Sequence, residues 1–264
     1  MAATVSETVD AFHRGRFQIL QPKGRGHRAG MDAMLLASLV ADESPCHVAD
    51  LGAGAGAAGM AVASRLEKAD VTLFEFSSEM VDFAQRSLLL AANAAFANRI
   101  RVKQADVTLR ADARREAGLL DNHFHHVIMN PPYNDAGDRK TPDALKAAAH
   151  AMTDDLFENW LRTAAAIMVP GGQLSLIARP QSIADIITAC GRRFGGLEIT
   201  LIHPRSGEDA VRMLVTAIKG SRARLTFRAP LTMHADDSHA FLQAVDDLSN
   251  GRFGYRRNDA RNRT

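Results

Sequence analysis

Residues 48–56 read Val48-Ala49-Asp50-Leu51-Gly52-Ala53-Gly54-Ala55-Gly56, an apolar run that passes directly into alternating glycines, with a segment of helical period from about Gly59. A short apolar run bounded by glycine is the pattern of a buried strand. Glycines let the backbone turn sharply and come close to a ligand, and the helix beyond them presents unpaired amides. Three alternating glycines among small residues exceed what a structural turn needs, so the stretch predicts a strand–turn–helix unit built around a nucleotide-like ligand.

Outward from this unit, short apolar runs alternate with longer helical segments, and the expected strands are 48–53, 71–76, 100–104, 124–129, 173–178, 197–203 and 211–218. Such alternation is the signature of βαβ units and a mostly parallel sheet with helices on both faces. The clearest helix starts at Ser77 or Ser78, either of which can cap it, and carries Met80, Phe83, Ala84, Ser87, Leu88 and Ala91 at three- and four-residue spacing. Pro170-Gly171-Gly172 reads as the end of a helix over 154–168 and a turn into the next strand. Lys219-Gly220-Ser221-Arg222 reads as a hairpin between runs 213–218 and 225–227, which puts an antiparallel strand at the far edge of the sheet. Met31, Met34, Leu35 and Leu36 have core spacing, and the arginine-rich last dozen residues read as a disordered tail.

Composition sets the surroundings. With 46% hydrophobic and 23% charged residues among 264, the chain has an ordinary globular composition. Lys and Arg number 32 against 30 Asp and Glu, so the total charge of +2 argues for no nucleic-acid partner by itself. Cys46 and Cys190 build neither a disulfide framework nor a zinc site. The N-terminus lacks the basic-then-apolar layout of a signal peptide, and no apolar run approaches the roughly 20 residues that span a bilayer. These features predict a cytoplasmic protein with no membrane partner.

Gly54-Ala55-Gly56-Ala57-Ala58-Gly59 fits the dinucleotide pattern G-x-G-x-x-G, and Glu75, about 20 residues on, would grip ribose hydroxyls in either a dinucleotide or another adenosine ligand. Asp50 just before the glycines and a second acid, Asp106, after the third strand favour S-adenosylmethionine. The fourth strand speaks to the chemistry. Phe124-His125-His126-Val127-Ile128-Met129 leads into Asn130-Pro131-Pro132-Tyr133 at the carboxyl end of a strand, where open α/β sheets bind ligands. Successive prolines fix the backbone and remove two donors. An Asn oxygen beside a proline carbonyl then offers two acceptors to the two hydrogens of a planar exocyclic amine, favouring its nitrogen as the lone pair attacks a methyl sulfonium, while Tyr133 can stack on the ring. Hydride transfer has no use for such a clamp.

The glycine loop, Glu75, Asp106 and Asn130-Pro131-Pro132-Tyr133 resemble the class I, S-adenosylmethionine-dependent amino-methyltransferases that modify adenine N6 or glutamine amide nitrogen. Gly30-Met31-Asp32-Ala33-Met34-Leu35-Leu36-Ala37, His203-Pro204-Arg205-Ser206-Gly207 and Val211-Arg212-Met213-Leu214-Val215 are similar to segments of the bacterial tRNA adenine-N6 methyltransferases acting on valine tRNA. The resemblance covers roughly 12–230. It implies a Rossmann-like class I methyltransferase fold with a mostly parallel seven-stranded sheet and an antiparallel edge strand. The implied organisation is an N-terminal segment, 1–47, covering the active-site side, a methyltransferase domain, 48–230, and a C-terminal helix with a basic tail, 231–264. It further implies that Asp50, Gly52, Gly54 and Gly56 border the methionine part of the donor, that Glu75 bonds its ribose, that Asp106 lies at its adenine and that Asp32 lies near its amino-acid end. Asn130, Pro131, Pro132 and Tyr133 become the catalytic residues, and RNA, in particular tRNA, the partner. The long, charged stretch 109–123 and Asn134-Asp135-Ala136-Gly137 depart from the family pattern. Two rivals remain: a glutamine amide N-methyltransferase of a protein, and a non-catalytic RNA-binding module of the same fold.

Arg14, Arg16, Lys23, Arg25 and Arg28 stand together without an intervening acid, ahead of Asp32, and are expected to rim the site and hold RNA phosphates. Lys219, Arg222, Arg224 and Arg228 read as an edge-strand solubility device. His123, His125 and His126 suggest metal ligands, but His125 and His126 must face opposite sides of a strand. No metal is expected.

Overall fold

A parallel sheet covered on both faces needs strands that are apolar nearly throughout, and the computed structural model, which describes residues 6–23, 29–41, 43–132 and 156–258, is organised around such strands. In chain order the elements are β1 (Glu7–Phe12), β2 (Phe17–Pro22), α1 (Met31–Ser38), β3 (Cys46–Leu51), α2 (Ala57–Arg65), β4 (Ala69–Glu75), α3 (Ser78–Leu88), β5 (Ile100–Gln104), α4 (Ala111–Glu116) and β6 (Phe124–Met129). They continue with α5 (Leu156–Ile167), β7 (Met168–Ala178), α6 (Ile183–Cys190), β8 (Phe194–His203), β9 (Arg212–Lys219), β10 (Thr226–Phe227), β11 (Leu231–Thr232) and α7 (Gln243–Ser249). The main sheet runs β10-β8-β9-β7-β6-β3-β4-β5, with β11 also on β8.

Because side chains alternate across a strand, each strand feeds two cores. Val48, Val71, Leu73 and Ile128 pack with α1, α2 and α3 on one face. Ala49, Leu51, Phe74, Val127 and Met129 pack with α5 and α6 on the other. His126 is buried and His125 exposed, as alternation requires. Ser77 caps α3, its hydroxyl accepting from the Met80 amide at 3.4 Å, and Phe83, Ala84 and Ser87 lie buried.

Several sequence expectations need correction. The antiparallel strand is β9, and it lies inside the sheet, antiparallel to both β7 and β8, rather than at the edge. Residues 213–218 and 225–227 form no hairpin: Thr226 and Phe227 pair in parallel with Glu198 and Ile199 of β8. The turn at Gly220 instead passes over Gly195, where a side chain would come within 2.2 Å of the Ser221 carbonyl. Pro170-Gly171-Gly172 lies within β7 as an irregularity, since Phe124 pairs with Met168 but His126 pairs with Gln173. Seven long strands are joined by the short β10 and β11 in a nine-stranded sheet. Gly254–Asn258 are docked, not disordered. Tyr255 donates its amide to the Ser38 carbonyl at 2.7 Å, and Arg257 bonds Thr216 and the Gly196 carbonyl. Lys219 and Arg228 are also tied down, Lys219 to Asn122 at 2.7 Å and Arg228 to Glu198 at 2.6 Å.

The N-terminal β1–β2 hairpin is antiparallel and separate from the main sheet. Its Pro22 end faces the carboxyl ends of the central strands, while its His13–Gly15 turn packs at the opposite end, where His13 meets Ser64 near the end of α2 at 3.1 Å. Burial and the nearby Arg65 and Arg16 cations lower the His13 pKa to about 4. Arg14 is paired with Asp246 of α7 at 2.5 Å. Arg14 therefore sits away from the strand ends that were expected to gather it at the site, because it lies in the His13–Gly15 turn, at the opposite end of the hairpin from Pro22. Arg25 and Arg28 lie outside the described residues.

The hairpin is held by Asn93, which is fully buried. Its Oδ1 accepts from the Gln18 amide at 3.0 Å, and its Nδ2 donates to the Gln18 and Ser87 carbonyls, each at 2.7 Å. Removing a group that satisfies several buried polar atoms costs more than one ordinary hydrogen bond. Asn93→Ala is expected to lower unfolding free energy by about 2 to 3 kcal/mol, measured by urea denaturation against Asn93→Asp, which keeps the acceptor.

Candidate active site

The chain leaves β3 at Leu51 and turns at Gly52, whose amide, with that of Ala53, donates to the Phe74 carbonyl at 2.8 and 3.0 Å. Gly52, Gly54 and Gly56 have φ of +68°, +56° and +91°, the left-handed region that favours glycine. A Cβ at Gly52 would lie 2.5 Å from the Trp160 ring, and one at Gly56 would lie 2.8 Å from Leu73. At Gly54 it would meet nothing within 4 Å, so this turn opens onto space that a ligand can fill.

Carboxylates brace the turn from both sides. Asp50, buried beneath it, accepts from the Gly59 amide at 2.9 Å. Glu75 accepts from the Gly54 amide through one oxygen and from the Ser77 amide through the other, both at 2.8 Å. Asp106 closes a local turn, one oxygen accepting from the Thr108 amide and hydroxyl at 2.7 Å each.

These groups line one cleft of about 570 Å³, a volume suited to a nucleoside-sized ligand. Asp50, Gly52, Gly54, Glu75 and Asp106 form its wall at the ends of β3, β4 and β5, and Asn130, Pro131 and Pro132 form its wall at the end of β6. Gln21, Gly30 and Asp32 enter from the N-terminal segment. The cleft occupies the topological switch point, where β4 flanks β3 on one side and β6 flanks it on the other. Of the residues picked from sequence, Gly56 does not line the cleft: it faces Leu73 and Met60 and caps α2. Tyr133 lies outside the described residues. Asp32 does line the cleft, but its carboxylate is engaged by Arg212, Oδ2 accepting from Nε at 2.8 Å.

Further lining residues escaped the sequence reading, among them Phe76, Trp160, Arg179 and Arg212. Phe76, at 71% exposure, follows Glu75 directly, and an aromatic just past a strand-ending acid was the available signal. Trp160 packs its ring on Gly52 and buries an indole N–H that has no hydrogen-bond partner among the described residues. Arg179 follows β7 and Arg212 opens β9, and only the sheet order shows that both reach the cleft. The histidines do not converge on a point: His47 stacks on His123 and His125, with ring centroids 5.0 and 5.7 Å apart. Among the described residues no helix is long and apolar enough to cross a membrane.

The set fits an S-adenosyl donor. Glu75 and Asp106 offer carboxylate oxygens for hydroxyl and amine donors, Phe76 offers an exposed ring, and the open cradle at Gly54 admits a chain beside backbone amides. When bound, the donor supplies an activated methyl on a sulfonium.

Asp50 carries a measurable consequence. Burial, with the Glu75 charge adding to it and the Gly59 hydrogen bond opposing it, raises its pKa to about 7. A raised carboxyl pKa contributes stability that is present below the unfolded value and lost as pH rises through the folded one. The wild-type protein should therefore lose stability through Asp50 between about pH 4 and pH 7, a loss that Asp50→Asn lacks. The stability of Asp50→Asn relative to wild type is expected to rise by roughly 2 kcal/mol from pH 5 to pH 8, read from denaturant midpoints at the two pH values. An equal difference at both would place an ordinary carboxylate there.

The model of the methyltransferase small domain family matches residues 28–200, which span β3 to β7 and most of β8. A tRNA1(Val) (adenine(37)-N6)-methyltransferase of Pedobacter heparinus is 26% identical over 208 residues, 78% of this chain and 83% of that protein. One of Shewanella putrefaciens is 29% identical over 159 residues, and the match spans 60% of this chain and 63% of that protein. Among solved structures, a predicted O-methyltransferase, protein Atu636 from Agrobacterium tumefaciens, is 70% identical with a TM-score of 0.77, covering 86% of this chain and 100% of that one. A T. thermophilus 16S rRNA N2 methyltransferase, solved with AdoMet and guanosine, shares the fold at 20% identity with a TM-score of 0.54, covering 83% of this chain and 52% of that one. The chain belongs to the methyltransferase small domain family and is an S-adenosylmethionine-dependent methyltransferase of Rossmann-like class I fold.

Proposed function

We propose that this enzyme methylates an exocyclic amine, adenine N6 of a tRNA. The observation that carries the reading is the position of Asn130-Pro131-Pro132 in the wall of the donor cleft. Leu51 pairs with Met129, so the residues that leave β3 and β6 side by side are Gly52 and Asn130. An acceptor held at Asn130 is thereby adjacent to the glycine turn. Its two amine hydrogens match two acceptors, the Asn130 amide oxygen and a carbonyl of the rigid proline segment. Those acceptors strengthen their hold as the nitrogen gains positive character, which is when stabilisation speeds the reaction.

The names of the Pedobacter and Shewanella relatives support adenine N6 and tRNA. The Agrobacterium structure is titled a predicted O-methyltransferase. A hydroxyl brings one hydrogen and leaves one of the paired acceptors unused, so the clamp favours nitrogen. Glu75 serves as the donor's ribose acceptor in this reading, Asp106 lies toward its adenine, and Asp50 acts through the loop that it braces.

Labelled methyl transfer to total RNA from a strain lacking the protein, followed by nucleoside analysis, is expected to give N6-methyladenosine in the tRNA fraction. Label in 2′-O-methylated nucleosides would select the hydroxyl reading, and methylglutamine in protein would select an amide acceptor. Asn130→Ala should keep donor affinity while kcat falls by about a hundredfold or more. Glu75→Ala should weaken donor binding by on the order of 1 to 3 kcal/mol, measured by calorimetry. A variant at Asn130 that lost donor affinity and kept its turnover would refute the clamp.

A further inference from the structure

Strand β2 buries Phe17, Ile19 and Leu20, and next to them it buries a polar side chain: Gln21 is 2% exposed and lines the cleft. Burying an amide costs free energy unless its groups are hydrogen-bonded, so packing alone would favour an apolar residue there. Both ends of the Gln21 amide are engaged. Oε1 accepts from the Ala29 backbone amide at 2.7 Å, and Nε2 donates to Asp10 Oδ2 on β1, also at 2.7 Å. The partners fix which way the amide is turned, because a backbone N–H donates and a carboxylate accepts. Glutamine is the side chain of this length that accepts on one atom and donates from the adjacent one.

Ala29 stands where the N-terminal segment enters α1. Gly30, the next residue, is the N-cap of that helix and brings no side chain to cap it. Ala29, Gly30, Asp32 and Ala33 all line the cleft, and the Ala33 amide closes the turn on the Gly30 carbonyl at 3.2 Å. Where the Ala29 amide is fixed, these wall residues are fixed with it. From the other side, Asp32 accepts from Arg212 of β9. The first turn of α1 is thus held by the hairpin through Gln21 and by the main sheet through Asp32. We propose that Gln21 is a positioning residue for the methyl donor: through Ala29 it sets the start of α1 in the cleft wall before the donor binds. It acts through the backbone that it holds. The consequence is a coupling between donor affinity and the Gln21–Ala29 hydrogen bond, and such coupling is reciprocal. A bond that favours the donor is itself stabilised by the bound donor, by the same factor.

The test uses the full chain and combines hydrogen exchange of single amides, followed by NMR, with S-adenosylhomocysteine affinity measured by calorimetry. In the unliganded wild type the Ala29 amide should be protected. Saturation with S-adenosylhomocysteine should slow its exchange about tenfold more than that of the Gln18 amide, which Asn93 holds on the same strand. Gln21→Met keeps the length of the side chain and removes both polar groups. It should abolish the Ala29 protection, spare that of Gln18, and weaken S-adenosylhomocysteine binding about tenfold, the scale of one lost hydrogen bond. Asn93→Ala supplies the contrast. It loosens the hairpin and leaves the Ala29 bond in place, so it should lower stability yet keep the affinity within about twofold. An unprotected Ala29 amide in the wild type would overturn the proposal, as would ligand-induced slowing no greater at Ala29 than at Gln18. Wild-type affinity in Gln21→Met would also overturn it. So would an affinity loss in Asn93→Ala as large as that in Gln21→Met, since the effect would then be one of general stability.

Discussion

The hydrogen bond from the Gly59 amide to the buried carboxylate of Asp50 ties the first turn of α2 to the end of β3, and the cleft depends on that tie. It fixes how far the glycine turn swings out from the sheet, and hence where Gly54 opens onto space. Glu75 repeats the device from the next strand, bonding Gly54 and Ser77 together. The two carboxylates hold a backbone that three left-handed glycines would otherwise leave free to vary. The arrangement has a cost, because a carboxylate as buried as Asp50 resists ionisation. The Glu75 charge adds to the burial that raises the Asp50 pKa.

Fold alone does not assign a reaction. A class I sheet hosts transfer to carbon, oxygen and nitrogen, and its glycine loop addresses the donor in each case. What distinguishes this chain is the next strand over. Since β6 pairs directly with β3, whatever follows Met129 borders the same cleft as the glycine turn, and here it is Asn130 followed by two prolines. A flexible loop in the same place would have to be ordered at every encounter. The prolines meet that requirement through covalent geometry, and the carbonyls they leave without competing amides are suited to amine hydrogens.

Most of the sheet was legible because its signal is local. Strands buried on both faces announce themselves as apolar runs, and β5 and β6 were placed to the residue. Pairing is not local. Nothing in residues 211–227 distinguishes an edge hairpin from a strand inserted between β7 and β8, because the deciding contact is Gly195 against Ser221. Pro170-Gly171-Gly172 has the composition of a turn yet serves as an irregularity in a strand, since β7 extends beyond the turn to pair with the start of β6. The basic run near the N-terminus misled for a related reason: the β1–β2 reversal sends Arg14 to Asp246 at the far end of the hairpin. Of the residues that carry a motif, Asp50, Gly52, Gly54, Glu75, Asp106, Asn130, Pro131 and Pro132 line the cleft. Trp160, Arg179 and Arg212 carry none, and they reach the cleft only through the order of the strands.

The Asp32–Arg212 ion pair joins positions 180 residues apart and links the N-terminal segment to the strand inserted last into the sheet. Half-buried pairs of this kind contribute little net stability, because desolvation offsets most of the Coulomb attraction. Orientation is the better account of its presence. Arg212 sits at the head of an antiparallel strand, where an unheld side chain would extend into solvent or contest the position of Arg179. Bonding Nε to a fixed carboxylate leaves the guanidinium in one plane at the edge of the cleft.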